Sequence, residues 1–180
     1  MASEIKAKKQ VTTASDNEKV KFSKEQYIKW YNDMLLMRRI EEKASQLYLQ
    51  QKFGGFCHLY IGQEAVVAGT ASGCKKGDKH ITAYRDHAHP IALGVHPKYM
   101  MAELYGRVTG MSKGKGGSMH MFNKGVNLMG GHGIVGAQIP MGAGIAFAEK
   151  YNNTGNVCFT SMGDGAVRQG ALHETFNMAM

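Results

Sequence analysis

The chain has 180 residues, of which 43% are hydrophobic and 20% are charged, so it can bury the core of one ordinary globular domain. This composition excludes collagen-like, disordered and disulfide-built proteins, and no apolar run is as long as a membrane-spanning helix. The formal net charge is +8, but the lysines are scattered and do not alternate with aromatic residues, so we expect a general attraction to anions and no specific nucleic-acid site. The three cysteines lie far apart without a C-x-x-C pair, which indicates reduced thiols and argues against a zinc site.

The N-terminal part of the chain divides into a polar tail and a long helix. Residues 1–22 contain few large apolar side chains, and we expect a mobile tail. A mitochondrial transit peptide would be rich in arginine, whereas this tail has no arginine and carries acidic residues, so a bacterial cytoplasmic location is favoured. Ser23 and Gln26 form a capping-box pattern, which predicts an amphipathic helix up to Gln51. Its apolar stripe consists of Ile28, Tyr31, Leu35, Ile40, Ala44, Leu47 and Tyr48.

Shorter elements follow the glycine pair at 54–55. The residue pattern predicts a small-residue helix over residues 63–72, a turn at 76–78 and a strand over residues 80–84. Pro97 suits the first turn of a further helix, which we expect to continue to Val108 and to stop at Gly110.

The glycine-rich stretch over residues 110–133 has no convincing periodicity and is predicted to be a long loop of the kind that is functional or mobile. Residues 131–136 match the G-x-G-x-x-G pattern of dinucleotide-binding folds. We do not expect a Rossmann fold, because the polar and turn residues of 123–129 do not predict the strand that this fingerprint requires. Residues 137–151 predict a helix whose small residues allow another element or subunit to pack closely.

The central pattern of the chain is a strand, a Gly-Asp-Gly turn and a helix. Residues 157–160 favour a strand, residues 163–165 form the turn, and the residues from 168 onward predict a helix. In α/β sheets, ligands bind at the carboxyl ends of the strands, where Asp164 could bind a metal ion and the flanking glycines would let the backbone approach a polyanion. The alternative is that Asp164 only shapes the turn.

Six short motifs occur along the chain in a fixed order. They are Phe56-Cys-His58, Gly62-Gln-Glu-Ala65, Ala83-Tyr-Arg-Asp86, Lys113-Gly-Lys-Gly-Gly-Ser-Met-His120, Gly130-Gly-His-Gly-Ile-Val-Gly-Ala-Gln138 and Gly163-Asp-Gly-Ala166. Together they resemble the thiamine-diphosphate-dependent 2-oxo acid dehydrogenases, and most of all the alpha subunits of the pyruvate dehydrogenase type, over about residues 25–180. The resemblance implies an α/β thiamine-diphosphate-binding fold, with a parallel sheet flanked by helices over residues 23–180. It also implies that the chain is the N-terminal part of a longer subunit, because a second metal ligand of the family, an asparagine, would lie beyond Met180.

The resemblance implies roles for particular residues. The expected thiamine-diphosphate-binding residues are Tyr84, Arg85, Gly133, Val135, Asp164, Gly165 and Ala166, and Asp164 is also the expected Mg²⁺ ligand. His58 corresponds to a histidine of the substrate channel, where an imidazole can hydrogen-bond the 2-oxo acid or move a proton. Two simpler alternatives stay open, which are a surface ion pair for Arg85 and a purely structural role for His58. Roles for His87, His120 and His132 are left open.

The implied reaction is the oxidative decarboxylation of pyruvate, with transfer of the acetyl group to a lipoyl group on a partner acyltransferase. The implied assembly is an alpha2-beta2 heterotetramer in which the beta subunit carries the glutamate that activates the cofactor, so the alpha chain alone should not turn over. Two alternatives stay open: an alpha subunit acting on branched-chain 2-oxo acids or acetoin, and a non-catalytic module that binds nucleotide or nucleic acid through its basic, glycine-rich loop.

Overall fold

The computed structural model describes residues 22–180, and all of the tail predicted over residues 1–22 except Phe22 lies outside the described residues. The described part contains helices and short parallel strands. In chain order they are α1 (Lys24–Leu49), α2 (Glu64–Gly73), β1 (Lys79–Ala83), α3 (Ala88–Ala92), α4 (Pro97–Leu104), β2 (Leu128–His132), α5 (Gln138–Tyr151), β3 (Cys158–Thr160) and α6 (Gly170–Ala179). Two 3₁₀ turns, Lys124–Val126 and Ala166–Arg168, precede β2 and α6.

The three strands form one parallel sheet in the order β2-β1-β3. This arrangement confirms the predicted α/β class, and it places the carboxyl ends of all three strands along the same edge. Helix α5 connects β2 to β3 and packs against both β1 and β3. Gly142 of α5 permits this packing, because a Cβ at that position would collide with the Thr160 hydroxyl. The close packing predicted for this small-residue helix is therefore confirmed at Gly142.

Helices α1 to α4 enclose the main core, which includes Met37, Ala44, Val67, Ala88, Met100 and Leu104. The predicted cap of α1 is confirmed, since Ser23 Oγ accepts the Gln26 N–H (3.2 Å). Within the apolar stripe of α1, Ala44 is fully buried and Ile40 and Leu47 are partly buried. Ile28 (48% exposed) and Tyr31 (61% exposed) face outward, because α1 is much longer than α2 and α3, against which it packs.

Three elements differ from the sequence-based predictions between residues 88 and 133, and one of them is the short helix α3, which was not predicted. Strand β2 was not predicted, because its sequence Leu-Met-Gly-Gly-His is poor in β-favouring residues, and pairing with the buried strand β1 forms it. The argument that no strand accompanies the G-x-G-x-x-G pattern is therefore wrong, although helix α5 begins after that pattern and not inside it. Helix α4 stops at Leu104 instead of Val108, since the chain turns at Gly106 with a φ of +64°.

Within residues 22–180, no helix is both long enough and apolar enough to cross a membrane. The thiols of Cys57, Cys74 and Cys158 are half-buried and unpaired.

Candidate active site

A cleft of about 360 Å³ opens at the carboxyl ends of β1 and β3. Its lining includes residues that are far apart in the sequence but were predicted to act together, namely Tyr84, Arg85, Val135, Asp164, Gly165 and Ala166. Two further predicted residues, His58 and Gly133, lie beside the cleft and do not line it. The strand ends therefore bring six of the eight predicted residues into contact with one space.

Arg85 places a positive charge on the side of the cleft that follows β1. The strand ends at Ala83, and the next two residues, Tyr84 and Arg85, turn into the cleft. The guanidinium of Arg85 donates from Nη1 to the Leu59 carbonyl (2.6 Å), and its Cζ lies 5.6 Å from the centroid of the Tyr84 ring. Because its hydrogen bond goes to a carbonyl and not to a carboxylate, Arg85 keeps its positive charge available to an anion in the cleft.

The wall after β3 carries the carboxylate. Asp164 is exposed and begins the turn that leads into the 3₁₀ turn Ala166–Arg168. This confirms the predicted strand, turn and helix, but it corrects the position of the helix start. Gly165 and Ala166 open the 3₁₀ turn, and α6 begins only at Gly170 because Gln169 is extended (φ −72°, ψ 138°). Ala166 is buried against Ile139 and Leu172, which anchors the turn to α5 and α6.

The entrance to α2 forms a further wall. The Glu64 carboxylate accepts the Gly62 N–H and a two-point bond from Arg38 (2.6 and 3.1 Å), which lowers the pKa of the Glu64 carboxyl. This ion pair joins α1 to the start of α2 and fixes the turn from which Gln63 faces the cleft. The motif Gly62-Gln-Glu-Ala65 therefore contributes a buried anchor, Glu64, and a cleft residue, Gln63.

His58 lies next to the cleft between two aromatic rings. The centroid of its ring is 5.9 Å from that of Phe56 and 4.8 Å from that of Tyr84. Burial and the positive charges of Arg85 and His87 lower the pKa of the His58 imidazole. The ring is therefore neutral at physiological pH and can accept or donate a hydrogen bond toward the cleft.

Gly133 directly follows β2 at the same edge of the sheet. The neighbouring histidines are held by main-chain groups, because His120 Nδ1 donates to the Gly131 carbonyl (3.0 Å) and His132 Nε2 donates to the Met129 carbonyl (3.3 Å). These bonds fix the end of β2 and the start of the glycine pattern, which explains why this stretch is ordered in the absence of a helix.

The sequence analysis missed several residues of the cleft floor, among them Tyr60, His89 and Ser161. His89 is buried, its Nε2 lies 3.3 Å from Ser161 Oγ, and burial lowers its pKa to about 4. The available signal was the histidine pair at 87 and 89, which lies a few residues after the end of β1. None of these residues belongs to a pattern that marks a ligand site by itself.

The geometry suits a ligand that is an anion bound through a cation. One carboxylate, one guanidinium and a glycine-flanked turn face the same space, and the positions where Gly163 and Gly165 would carry a Cβ are open. Among residues 22–180, no group of three or more His, Cys, Asp or Glu side chains could hold a metal ion. A cation at Asp164 would therefore need phosphate oxygens or other groups to complete its ligands.

The fold and the cleft define an α/β protein with a ligand site at the carboxyl ends of a parallel sheet. Comparison with known proteins identifies the family. Residues 32–180 match the family described as Dehydrogenase E1 component, and the chain belongs to this family. The resemblance drawn from the six ordered motifs is thereby confirmed.

Three relatives show how far the similarity extends. The pyruvate dehydrogenase E1 component subunit alpha of Rickettsia prowazekii (strain Madrid E) is 65% identical over 162 residues, which cover 90% of this chain and 50% of the relative. The protein of that name from Rhizobium meliloti (strain 1021) is 58% identical over 88% of this chain and 45% of its own length. A mitochondrial one from Dictyostelium discoideum is 55% identical over 87% of this chain and 41% of its own length. The chain thus spans about half the length of the curated relatives it matches.

Proposed function

We propose that this chain is the N-terminal half of the alpha subunit of a pyruvate dehydrogenase (acetyl-transferring) component. The observation that carries the proposal is the convergence of Tyr84, Arg85, Val135 and the Gly-Asp-Gly turn on one cleft, together with 65% identity to a relative of that name. The reaction is the oxidative decarboxylation of pyruvate, with the acetyl group passing to a lipoyl group of a partner acyltransferase and onward to acetyl-CoA. A bacterial cytoplasmic location is part of the proposal, and the organisms of the rickettsial and rhizobial relatives support its bacterial part.

The cofactor of the proposal is thiamine diphosphate with Mg²⁺. When bound, it supplies the nucleophilic carbon that attacks a 2-oxo acid and the electron sink that makes loss of carbon dioxide possible. The chain supplies the binding groups. Arg85 would bind the diphosphate through its planar guanidinium, Asp164 would bind the cation, and the N–H groups of Gly165 and Ala166 would be available to phosphate oxygens.

The remaining predicted residues have positioning and proton-handling roles in this proposal. Main-chain groups of Val135, which lines the cleft, and of Gly133, which lies beside it, would hold and orient the aminopyrimidine ring. His58 is the candidate catalytic residue of the chain, since its neutral imidazole stands at the edge of the cleft beside Tyr84. A beta subunit supplies the rest of the site in an alpha2-beta2 heterotetramer, so the alpha chain alone should be inactive.

The metal role of Asp164 is tested by Asp164→Asn in the complete alpha-beta assembly. This change removes one charge while keeping the size of the side chain, so the fold should survive. Cofactor affinity should fall, and a higher magnesium concentration should restore part of it by mass action. Calorimetric titration of thiamine diphosphate at two magnesium concentrations measures both effects, and Glu174→Gln on the exposed face of α6 is the charge-matched control. If affinity and its magnesium dependence equal those of the control, Asp164 only shapes the turn.

The choice of substrate is tested by competition. The same assembly is assayed with pyruvate, 2-oxoisovalerate and acetoin, and pyruvate should give the highest kcat/KM. A higher value for either competitor would assign the chain to the branched-chain or acetoin type. No turnover of any of the three, together with tight binding to a defined nucleic acid at physiological salt, would favour a non-catalytic module.

A further inference from the structure

The segment that carries His58 is held in place by side chains from other parts of the chain. Residues 58–60 belong to no helix or strand. The His58 N–H donates to Ser118 Oγ (2.8 Å), and the Tyr60 N–H donates to the Glu41 carboxylate (2.9 Å). Between them, the Leu59 carbonyl accepts from Arg85 (2.6 Å). Three successive residues therefore each have one main-chain group fixed by a side chain.

Two of these anchors belong to one continuous buried network. His87 Nδ1 donates to the Glu41 carboxylate (2.8 Å), and His87 Nε2 lies 2.8 Å from Ser118 Oγ. Glu41 is 1% exposed and His87 is fully buried. The network joins α1, the turn after β1 and the glycine-rich loop to the segment of His58. A buried carboxylate needs such partners, because an unpaired one would be strongly destabilising.

The network also affects the pKa of His87. Although burial alone would lower it, the pKa of His87 is raised, because Glu41 accepts its hydrogen bond and places a negative charge beside it. Positive charge on His87 in turn lowers the pKa of His58. The other groups that face His58 are the Arg85 cation and the rings of Phe56 and Tyr84. Glu41 therefore favours the charged form of His87, and through it affects the pKa of His58.

We propose that Glu41 and His87 are positioning residues, which hold the segment of His58 against Tyr84. The inference rests on the role proposed above for His58. Neither residue touches the cleft, so each acts through another group: Glu41 through the Tyr60 N–H and His87, and His87 through Ser118.

The test uses Glu41→Gln in the complete subunit, assembled with its beta subunit. Glutamine keeps an acceptor for one N–H but removes the negative charge that raises the pKa of His87. Diethylpyrocarbonate reacts with neutral imidazole, so its rate of reaction with His58, followed by mass spectrometry, reports the protonation of that residue. The ratio of the rate at about pH 6 to that at about pH 8 should fall about threefold, as expected for the loss of one partly screened charge. A change in exposure alone would alter both rates and leave the ratio constant.

The matched control is Glu42→Gln, the neighbouring residue of the same helix, whose carboxylate is exposed and pairs with Arg39. Hydrogen exchange of the peptide over residues 56–62 is measured on the same samples and should be faster in Glu41→Gln only. A ratio and an exchange rate equal to those of Glu42→Gln would overturn the proposal.

A second variant covers the case in which Glu41→Gln does not assemble. Ser118→Ala removes the acceptor of the His58 N–H but leaves the pair of Glu41 and His87 intact. It should speed exchange over residues 56–62, and exchange as slow as in the wild type would refute the positioning role. Neither readout needs turnover. A wild-type assembly that fails to decarboxylate pyruvate would refute the proposed function without affecting these two measurements.

Discussion

The carboxylate of Glu103 provides a sharp test of how the glycine-rich loop is held. Glu103 lies near the end of α4, is fully buried, and accepts several main-chain N–H groups of the loop over residues 110–120. Its donors are the N–H groups of Ser112 (2.7 Å), Gly114 (2.9 Å), Gly116 (2.7 Å) and Gly117 (3.1 Å). One anion thus satisfies donors that a loop without secondary structure would otherwise leave buried and unpaired.

The geometry gives the size of the effect of Glu103→Gln. Two of the N–H groups point at each carboxylate oxygen, so the amide nitrogen of glutamine must face two donors. A hydrogen bond to a charged group contributes about 1.5–3 kcal/mol, so the loss of two destabilises the closed loop by about 3–6 kcal/mol. At about 1.4 kcal/mol for each factor of ten, the opened loop becomes at least about a hundred times more populated.

Hydrogen exchange followed by mass spectrometry measures this population directly. Peptides over residues 110–120 should exchange at least about a hundred times faster in Glu103→Gln than in the wild type. Glu174→Gln, on the exposed face of α6, removes the same charge without these contacts and should leave the loop unchanged. Acceleration of less than about tenfold relative to that control would refute the view that Glu103 holds the loop.

Further predictions concern packing and pH. Gly131→Ala should lower the Tm by an amount equivalent to about 1–3 kcal/mol, because its Cβ would collide with the Asp86 carboxylate. Gly133→Ala should be tolerated, because the nearest atom to its Cβ would be in the His120 ring, 3.5 Å away. Burial lowers the pKa of His89 from 6.5 to about 4, so the stability linked to its neutral form is complete above pH 6.5 and is lost as the pH falls toward 4. When the pH is lowered from about 6.5 to about 5, the free energy of unfolding measured in urea should therefore fall less in His89→Gln than in the wild type. Burial raises the pKa of Asp86 from 3.8 to about 8, so its contribution is complete below pH 3.8 and is lost as the pH rises through 8. Asp86→Asn should consequently gain stability relative to the wild type as the pH rises from about 5 to 8. For either variant, a free energy of unfolding that changes with pH as it does in the wild type would contradict the pKa shift given for that residue.

The parts of the site that the sequence predicted are those with local signals. A run of β-favouring residues followed by Gly-Asp-Gly places Asp164 at a strand end without knowledge of any contact. Arg85 follows a strand with the same kind of signal. Since parallel strands present their carboxyl ends at one edge, the two residues had to meet once both strands joined the same sheet.

Elements formed by tertiary pairing were predicted less well. Strand β2 contains two glycines and exists because β1 offers it a partner on one side. The position of Gly131 is explained only by the contact that its missing side chain permits with Asp86, a residue 45 positions earlier in the chain. From the sequence alone, such a glycine is interpreted as a turn or loop residue.

The buried carboxylates mark the limit of local patterns most clearly. Glu41 occupies the same face of α1 as Met37 and Ala44, so an acid within an apolar stripe was the only available hint of its burial. Its partner His87 lies 46 residues away, and no local rule connects the two. Glu103 likewise reads as an ordinary helix residue, yet it organises a loop that begins after its helix has ended. The motif residues therefore indicate what the cleft can bind, whereas these two non-motif acids fix the segment of His58 and the glycine-rich loop.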